Sequence, residues 1–256
     1  MGDIFKKYTA EILAIIIGIP VGLALVYGDE LKKMEAKEMN RKLTSMKFDT
    51  VVSYATRPIR PYETNGKEHY FISDKEAEEI LYYKDSIAAY TQIGVYKYFT
   101  TWEELSKKNL YVIDPTGVDD LLTKAANKEH LAKKFVVIYI NTNKATRLKR
   151  AKGRSGFNKK VYETRSAAED LQFKDFETNI KKTYIDKFAD KVDVSIYVVS
   201  NNGLMGKTLN HVNTILANTY TEDTLYLIVG RTCSGKDTIC KEIINEVNRL
   251  KEKGDN

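Results

Sequence analysis

The sequence has 256 residues, 43% hydrophobic and 30% charged, with a formal net charge of +6. That is apolar content for one sizeable core, or one domain plus an extra segment. Its only two cysteines, Cys233 and Cys240, and the lack of any zinc-type His/Cys spacing exclude a disulfide framework and a structural zinc site.

The basic surplus suits a protein that handles anionic phosphates. The 17 tyrosines are scattered rather than arranged as stacking platforms, so nucleic acid is not an expected partner. Reduced thiols point to the cytoplasm.

In chain order, residues 1–44 come first. The run ILAIIIGIPVGLALVY, Ile12 to Tyr27, carries no charge. A helix over residues 8–27 would be roughly 30 Å long, enough to cross a bilayer. It reads as an uncleaved membrane anchor, with the rest of the chain on the cytoplasmic side. A buried apolar hairpin or a cleaved signal peptide are the other readings. Asp29 to Leu43 is rich in helix formers of mixed charge and reads as a solvated helix or spacer.

From residue 45 to about 217, short apolar runs alternate with amphipathic stretches. DTVVSYA and LYVID read as strands, and FVVIYIN and VSIYVVS as strands buried on both faces. EEILYY, TWEELSKK, GVDDLLTKAA and AAEDLQFKDFETNIKKTYIDKFA read as helices. Alternation of this kind implies an α/β fold with a mostly parallel sheet and helices on both faces, three layers in all. Residues 218–223, NTYTED, form a polar linker. Residues 224–251 then give a buried strand, TLYLIVG, a Gly-rich turn and an amphipathic helix.

The turn runs Gly230, Arg231, Thr232, Cys233, Ser234, Gly235, Lys236, Asp237, Thr238. Its spacing, Gly-x4-Gly-Lys between a strand and a helix, is that of a phosphate-binding loop. Glycines let the backbone curl its N–H groups toward a phosphate, the helix N-terminus adds partial positive charge, and Lys236 adds a full one. The expected ligand is ATP. Asp237 stands where a hydroxyl residue usually reaches Mg²⁺; a carboxylate can hold that ion directly or through water. Thr238 is placed to contact a phosphate.

A second signature is VVSYATRPIRPYETNGKEHYF. Two arginines three apart in an extended, Pro-containing segment make a fork for a dianionic phosphate. The segment resembles the monophosphate site of the guanylate kinase family, S-x-T-T-R-x-x-R-x-x-E-x-x-G-x-x-Y-x-F, with Ser53, Thr56, Arg57, Arg60, Glu63, Gly66 and Phe71 in register. GVYKYFT, YVIDPTGV and LKRAKGRSG…YETRSAAE resemble further family segments, the last of them the lid. The resemblance implies a P-loop kinase fold with a small monophosphate-binding region over about residues 50–105 and a helical lid over about 150–168, all within a domain at 45–256. It implies transfer of a phosphoryl group from Mg·ATP to a nucleoside monophosphate, GMP or dGMP first. It assigns the acceptor to Ser53, Arg57, Arg60, His69, Tyr70, Tyr98, Thr100 and Asp114, and the transferred group to Lys236, Arg154 and Arg165, with Arg150 a further lid arginine.

Two features depart from the family pattern. The glutamate that reads guanine falls on Ala88 or Ala89, which points to a broader monophosphate kinase as the alternative. A non-catalytic scaffold of the same fold is another. The phosphate loop comes last rather than first, so the order looks circularly permuted, with NTYTED as the stitch. A central strand would then come from the last part of the chain, or pair into a neighbouring molecule.

Overall fold

The computed structural model describes residues 21–127, 134–188 and 190–254. The apolar run at residues 8–27 falls mostly outside these. Among the described residues, no helix is long and apolar enough to cross a membrane. The chain divides into two units, residues 47–247 and a smaller one of residues 1–46 with 248–256. In the smaller unit, α1 (Val21–Ser45) carries exposed pairs three residues apart, Glu30 with Lys33 and Glu38 with Arg41. These suit a solvated helix.

The larger unit holds two four-stranded sheets. The main sheet is built from β5 (Leu110–Ile113), β6 (Lys134–Asn141), β7 (Val194–Ser200) and β8 (Thr224–Val229). Its order is β5-β8-β6-β7, and every neighbouring pair is parallel. The last strand of the chain therefore fills an inner position of its own sheet, between β5 and β6.

All six residues of β8 are buried, as a continuous apolar run flanked on both sides and covered on both faces should be. Tyr111, Ile113, Phe135, Val137, Tyr139, Leu225, Leu227 and Val229 point to one face. There they pack with α4 (Pro115–Ala126) and with Phe176, Tyr184 and Phe188 of α7 (Lys174–Phe188). The neighbouring residues point the other way: the Tyr226 hydroxyl lies 3.1 Å from Thr219 Oγ1 on α8 (Met205–Thr219). Helix, sheet and helix make the three layers.

Two elements differ from the sequence reading. VSIYVVS is an edge strand with only Ile196 and Val199 buried, because among the described residues no strand pairs beyond β7 in the sheet. The long amphipathic run is two helices, α6 (Lys159–Gln172) and α7, broken at Phe173, whose ring is drawn into the core at 2% exposure.

The small sheet has the order β2-β1-β4-β3, from β1 (Ser53–Ala55), β2 (His69–Phe71), β3 (Ile87–Ile93) and β4 (Tyr96–Thr101). β3 and β4 form a hairpin in which Ile93 pairs with Tyr96, and Gly94 turns it at φ 63°. Strand alternation gives the sheet two distinct faces. Tyr54, Phe99 and Ile87 pack with Ala77 of α2 (Asp74–Leu81) on one of them. Ser53, His69 and Tyr98 share the other.

Candidate active site

The main sheet brings four chain segments to one place, the carboxyl ends of its parallel strands, where ligands of such sheets bind. Asp114 follows β5, Thr142 follows β6, Asn201 follows β7 and Gly230 follows β8. Between Gly230 and α9 (Lys236–Gly254) lies the phosphate loop.

Three side chains from outside the loop converge on one of its carbonyls. Ser234 O accepts from Thr142 Oγ1 at 3.1 Å, Asn201 Nδ2 at 2.8 Å and Arg150 Nη1 at 2.9 Å. Arg150 also donates to Asn201 O at 2.9 Å. Its guanidinium thus spans two strand ends and fixes the loop. Gly235 has φ 94°, and a Cβ there would come within 2.6 Å of Asn201 Nδ2, so no other residue fits. Cys233 is the surprise at φ 62°. A non-glycine residue in that region carries strain of about 1–2 kcal/mol. Its side chain is buried with Ala151 of α5 (Lys144–Lys152) and Tyr162 of α6, which holds the strained backbone in place.

The loop's other variable residues are also tied to α6 and α7. Arg231, expected to face ATP, turns away. Its guanidinium gives both Nε and Nη2 to Glu177 at 2.8 Å, gives Nη1 to Asp170 at 2.5 Å, and lies 5.0 Å above the Phe173 ring. The Glu177 bonds above all raise its pKa. Only its backbone belongs to the loop. Thr232 donates its N–H to Glu169. Lys236 opens α9, with Asp237 and Thr238 exposed just beyond it.

On the acceptor side, Arg57 and Arg60 separate. Arg57 is 7% exposed and forms a two-pronged ion pair with Glu63, at 2.6 Å on each prong. It also lies 5.0 Å over the Phe71 ring. Burial alone would lower its pKa, but Glu63 more than offsets that. The Arg57 hydrogen bonds in turn hold the Glu63 carboxyl at about 2. Arg57 is thus a brace for the segment, and a two-arginine fork is not what the structure presents. Arg60 is 56% exposed at its side chain and lies 3.5 Å from Glu63. Burial and then the Arg57 charge lower its pKa, with Arg165 adding to the same effect. Arg165, on α6, is 46% exposed. Arg154 is exposed just after α5.

His69 lies on the site face of the small sheet, its Nδ1 2.9 Å from Ser53 Oγ. Burial, and then Arg57, lower its pKa and favour the neutral ring. Tyr70 is one residue on and so points to the opposite face, where its ring lies 5.1 Å from Tyr54. Of the two neighbours assigned to the phosphate, strand alternation leaves His69 alone on the site face. Tyr98 stands beside His69, with ring centroids 5.9 Å apart. Thr100 is fully buried, and its hydroxyl has no partner among the described residues.

Ala88 and Ala89 are both buried, and Ala89 shares the site face with Tyr98 and Thr100 through their pairing. A methyl group occupies the place where a base-reading carboxylate was sought.

Asp114 caps α4, accepting from the N–H groups of Thr116 at 2.9 Å and Gly117 at 3.1 Å. Gln172 of α6 donates to the same oxygen at 2.9 Å. Burial raises the Asp114 pKa, against the pull of those N–H groups and of Lys236. The lysine of the loop is thus within electrostatic reach of Asp114. Lys241, one turn further along α9, lies 4.0 Å from Glu68, in the segment that leads into β2. The first turns of α9 thus meet the segment between Arg60 and β2.

Sequence reasoning passed over Thr142, Asn201 and Glu169. For the first two a signal existed: each is the polar residue directly after an apolar parallel strand. Glu169 offered a weaker one, a carboxylate four residues after Arg165 on one helix face.

The guanylate kinase family matches residues 28–199 of the chain. No curated protein matches it. Among solved structures, guanylate kinase from Anaplasma phagocytophilum is similar over 73% of this chain and 83% of its own, at 15% identity and a TM-score of 0.39. With three layers about a parallel sheet and a family match over well more than half its length, this chain belongs to the guanylate kinase family.

Proposed function

We propose that the protein transfers a phosphoryl group from Mg·ATP to a nucleoside monophosphate. The observation that carries this reading is the approach of α9, which follows the phosphate loop, to the segment that bears Arg57 and Arg60, Lys241 to Glu68 at 4.0 Å. In this reading the donor loop, the acceptor arginine Arg60 and the arginine Arg165 act on one pair of substrates.

The acceptor phosphate is already an anion, so the reaction needs no strong base. Positioning and charge neutralisation do the work. The backbone of residues 230–236 and the Lys236 ammonium hold the donor. Arg60 meets the acceptor phosphate, with His69 and Tyr98 beside it, and Arg57 and Glu63 hold that segment in shape. Arg165, and Arg154 on lid closure, meet charge developing on the group in flight.

Among the described residues, no three His, Cys, Asp or Glu side chains could hold a metal by themselves. That suits Mg²⁺, which takes one or two carboxylates and completes its shell with water and nucleotide phosphates. Asp237 and Asp114 are the carboxylates at the loop that would hold it. Bound there, the ion would supply positive charge to the donor phosphates.

The order of the elements supports a circular permutation of the family's chain. The family match ends at residue 199, ahead of the loop, and β8 enters the sheet between strands that precede it in sequence. In the same reading residues 45–256 form the kinase domain and residues 1–44 an appendage, attached to a membrane or free.

Ala89 favours a wide acceptor range. A site that pairs a buried carboxylate with its substrate rejects analogues by about 10⁴-fold or more, whereas one without it discriminates by about 10²-fold at most. A coupled assay of ADP formation with GMP, dGMP, AMP, CMP and UMP is expected to show GMP and dGMP ahead by less than that smaller factor. No monophosphate-dependent ADP formation with any of them would overturn the kinase reading in favour of a scaffold.

A further inference from the structure

The donor loop already holds an anion. Glu169 of α6 accepts the Thr232 N–H at 2.9 and 3.0 Å with its two oxygens, and it also accepts the Thr232 hydroxyl. The same carboxylate lies 3.6 Å from Arg147, itself 4% exposed, and 3.6 Å from Arg165. At 9% exposure Glu169 is well shielded from water.

Backbone N–H groups of such loops are suited to phosphate oxygens, and a carboxylate oxygen is the nearest side-chain equivalent. A phosphate oxygen and Glu169 cannot both take the Thr232 N–H. A triphosphate placed in the loop would also bring like charge within a few ångströms of a shielded carboxylate, where screening is weak. Arg165 is tied to one side of this exchange, 3.6 Å from Glu169 on the same helix. The arrangement is anchored from behind, since Arg231 is held to Asp170 and Glu177 on the same pair of helices.

We infer that Glu169 is a displaceable latch: it fills the Thr232 position of the donor loop in the absence of nucleotide, and an arriving triphosphate expels it and releases Arg165 to the transferred phosphoryl group. ATP binding would then be weakened by the cost of expulsion, and the lid arginine would become available only when the donor is in place. This deepens the proposed function and rests on its assignment of the donor loop.

Glu169→Gln tests it in the full-length chain. The substitution keeps the side chain's length and one acceptor oxygen for Thr232, and removes the charge. Calorimetric titration with Mg·ATP, and separately with inorganic tripolyphosphate, is expected to give a Kd about tenfold lower for the variant than for the parent, a modest share of one unit charge at this range. Adenosine, which brings no phosphate, is expected to bind both alike. Thr232→Ala, which loosens the latch by one hydrogen bond, should move the ATP Kd in the same direction by a smaller factor, and decides the matter if Glu169→Gln does not fold.

An unchanged or weaker ATP affinity in the folded variant overturns the latch and makes Glu169 a brace, while leaving the donor loop assigned. Failure of both parent and variant to bind ATP or tripolyphosphate removes the donor-loop reading and the latch with it. Tightening for adenosine equal to that for ATP also overturns the latch, because the gain would not depend on phosphate charge.

Discussion

Replacing Lys236 with alanine is expected to lower monophosphate-dependent ADP formation by about 10³-fold, at the upper end of the loss of one preorganised charge stabiliser. The residue opens α9 directly after Gly235, so its ammonium stands at a helix N-terminus that already carries partial positive charge. Phosphoryl transfer draws its catalysis from positioning and electrostatics, and a full charge at the donor phosphates has no neighbour in the loop to replace it. Arg231, which could have served, is committed to Glu177 and Asp170. Alanine is a good helix former, so the substitution is expected to leave the fold and melting temperature nearly unchanged. Lys236→Arg should recover part of the rate, since it restores the charge on a different shape. A Lys236→Ala variant within tenfold of the parent would place the donor elsewhere in the molecule.

The geometry of the phosphate loop was legible because its cause is local. A buried strand, a glycine that tolerates φ 94° and a lysine at a helix start are read from thirteen consecutive residues, 224–236. The parallel sheet was legible for a related reason: β6 and β8 are continuous apolar runs that only a strand covered on both faces can bury. β7 has an equally apolar run, and its edge position depends on which strands exist elsewhere, so periodicity could not distinguish it.

The acceptor half was legible as a segment and not as roles. Arg57 and Arg60 look alike in sequence, yet the turn between them and Glu63 sends one guanidinium inward to the carboxylate and leaves the other 56% exposed. His69 and Tyr70 could have been separated, because neighbouring residues of a strand point to opposite faces. The contacts around the loop were out of reach. Glu169 and Thr232 lie 63 residues apart, and Arg150 and Ser234 lie 84 apart. Pairings of that separation depend on the whole topology.

Glu63→Gln is expected to destabilise the protein by about 3–5 kcal/mol at neutral pH, the usual cost of removing one partner from a buried ion pair. Arg57 and Glu63 are 7% and 13% exposed at their side chains, so water cannot replace the lost carboxylate. The same pair sets an acid dependence whose sign follows from the carboxyl's position. Folding holds Glu63 at about 2, below its unfolded value, because Arg57 donates to both oxygens. The stability it contributes is complete above the ordinary carboxylate range and is lost as pH falls from there toward about 2. Arg57 stays charged across this window, since its own pKa is raised. Urea unfolding of parent and Glu63→Gln at pH 7 and pH 3 checks it: the gap between them should shrink by roughly half at the lower pH. A gap that does not change would mean the carboxyl titrates alike in both states and that the brace holds by packing alone. The catalytic consequence separates the same way. With Arg57 loosened, the acceptor segment loses its shape while the donor loop is untouched, so KM for the monophosphate should rise and KM for ATP should not.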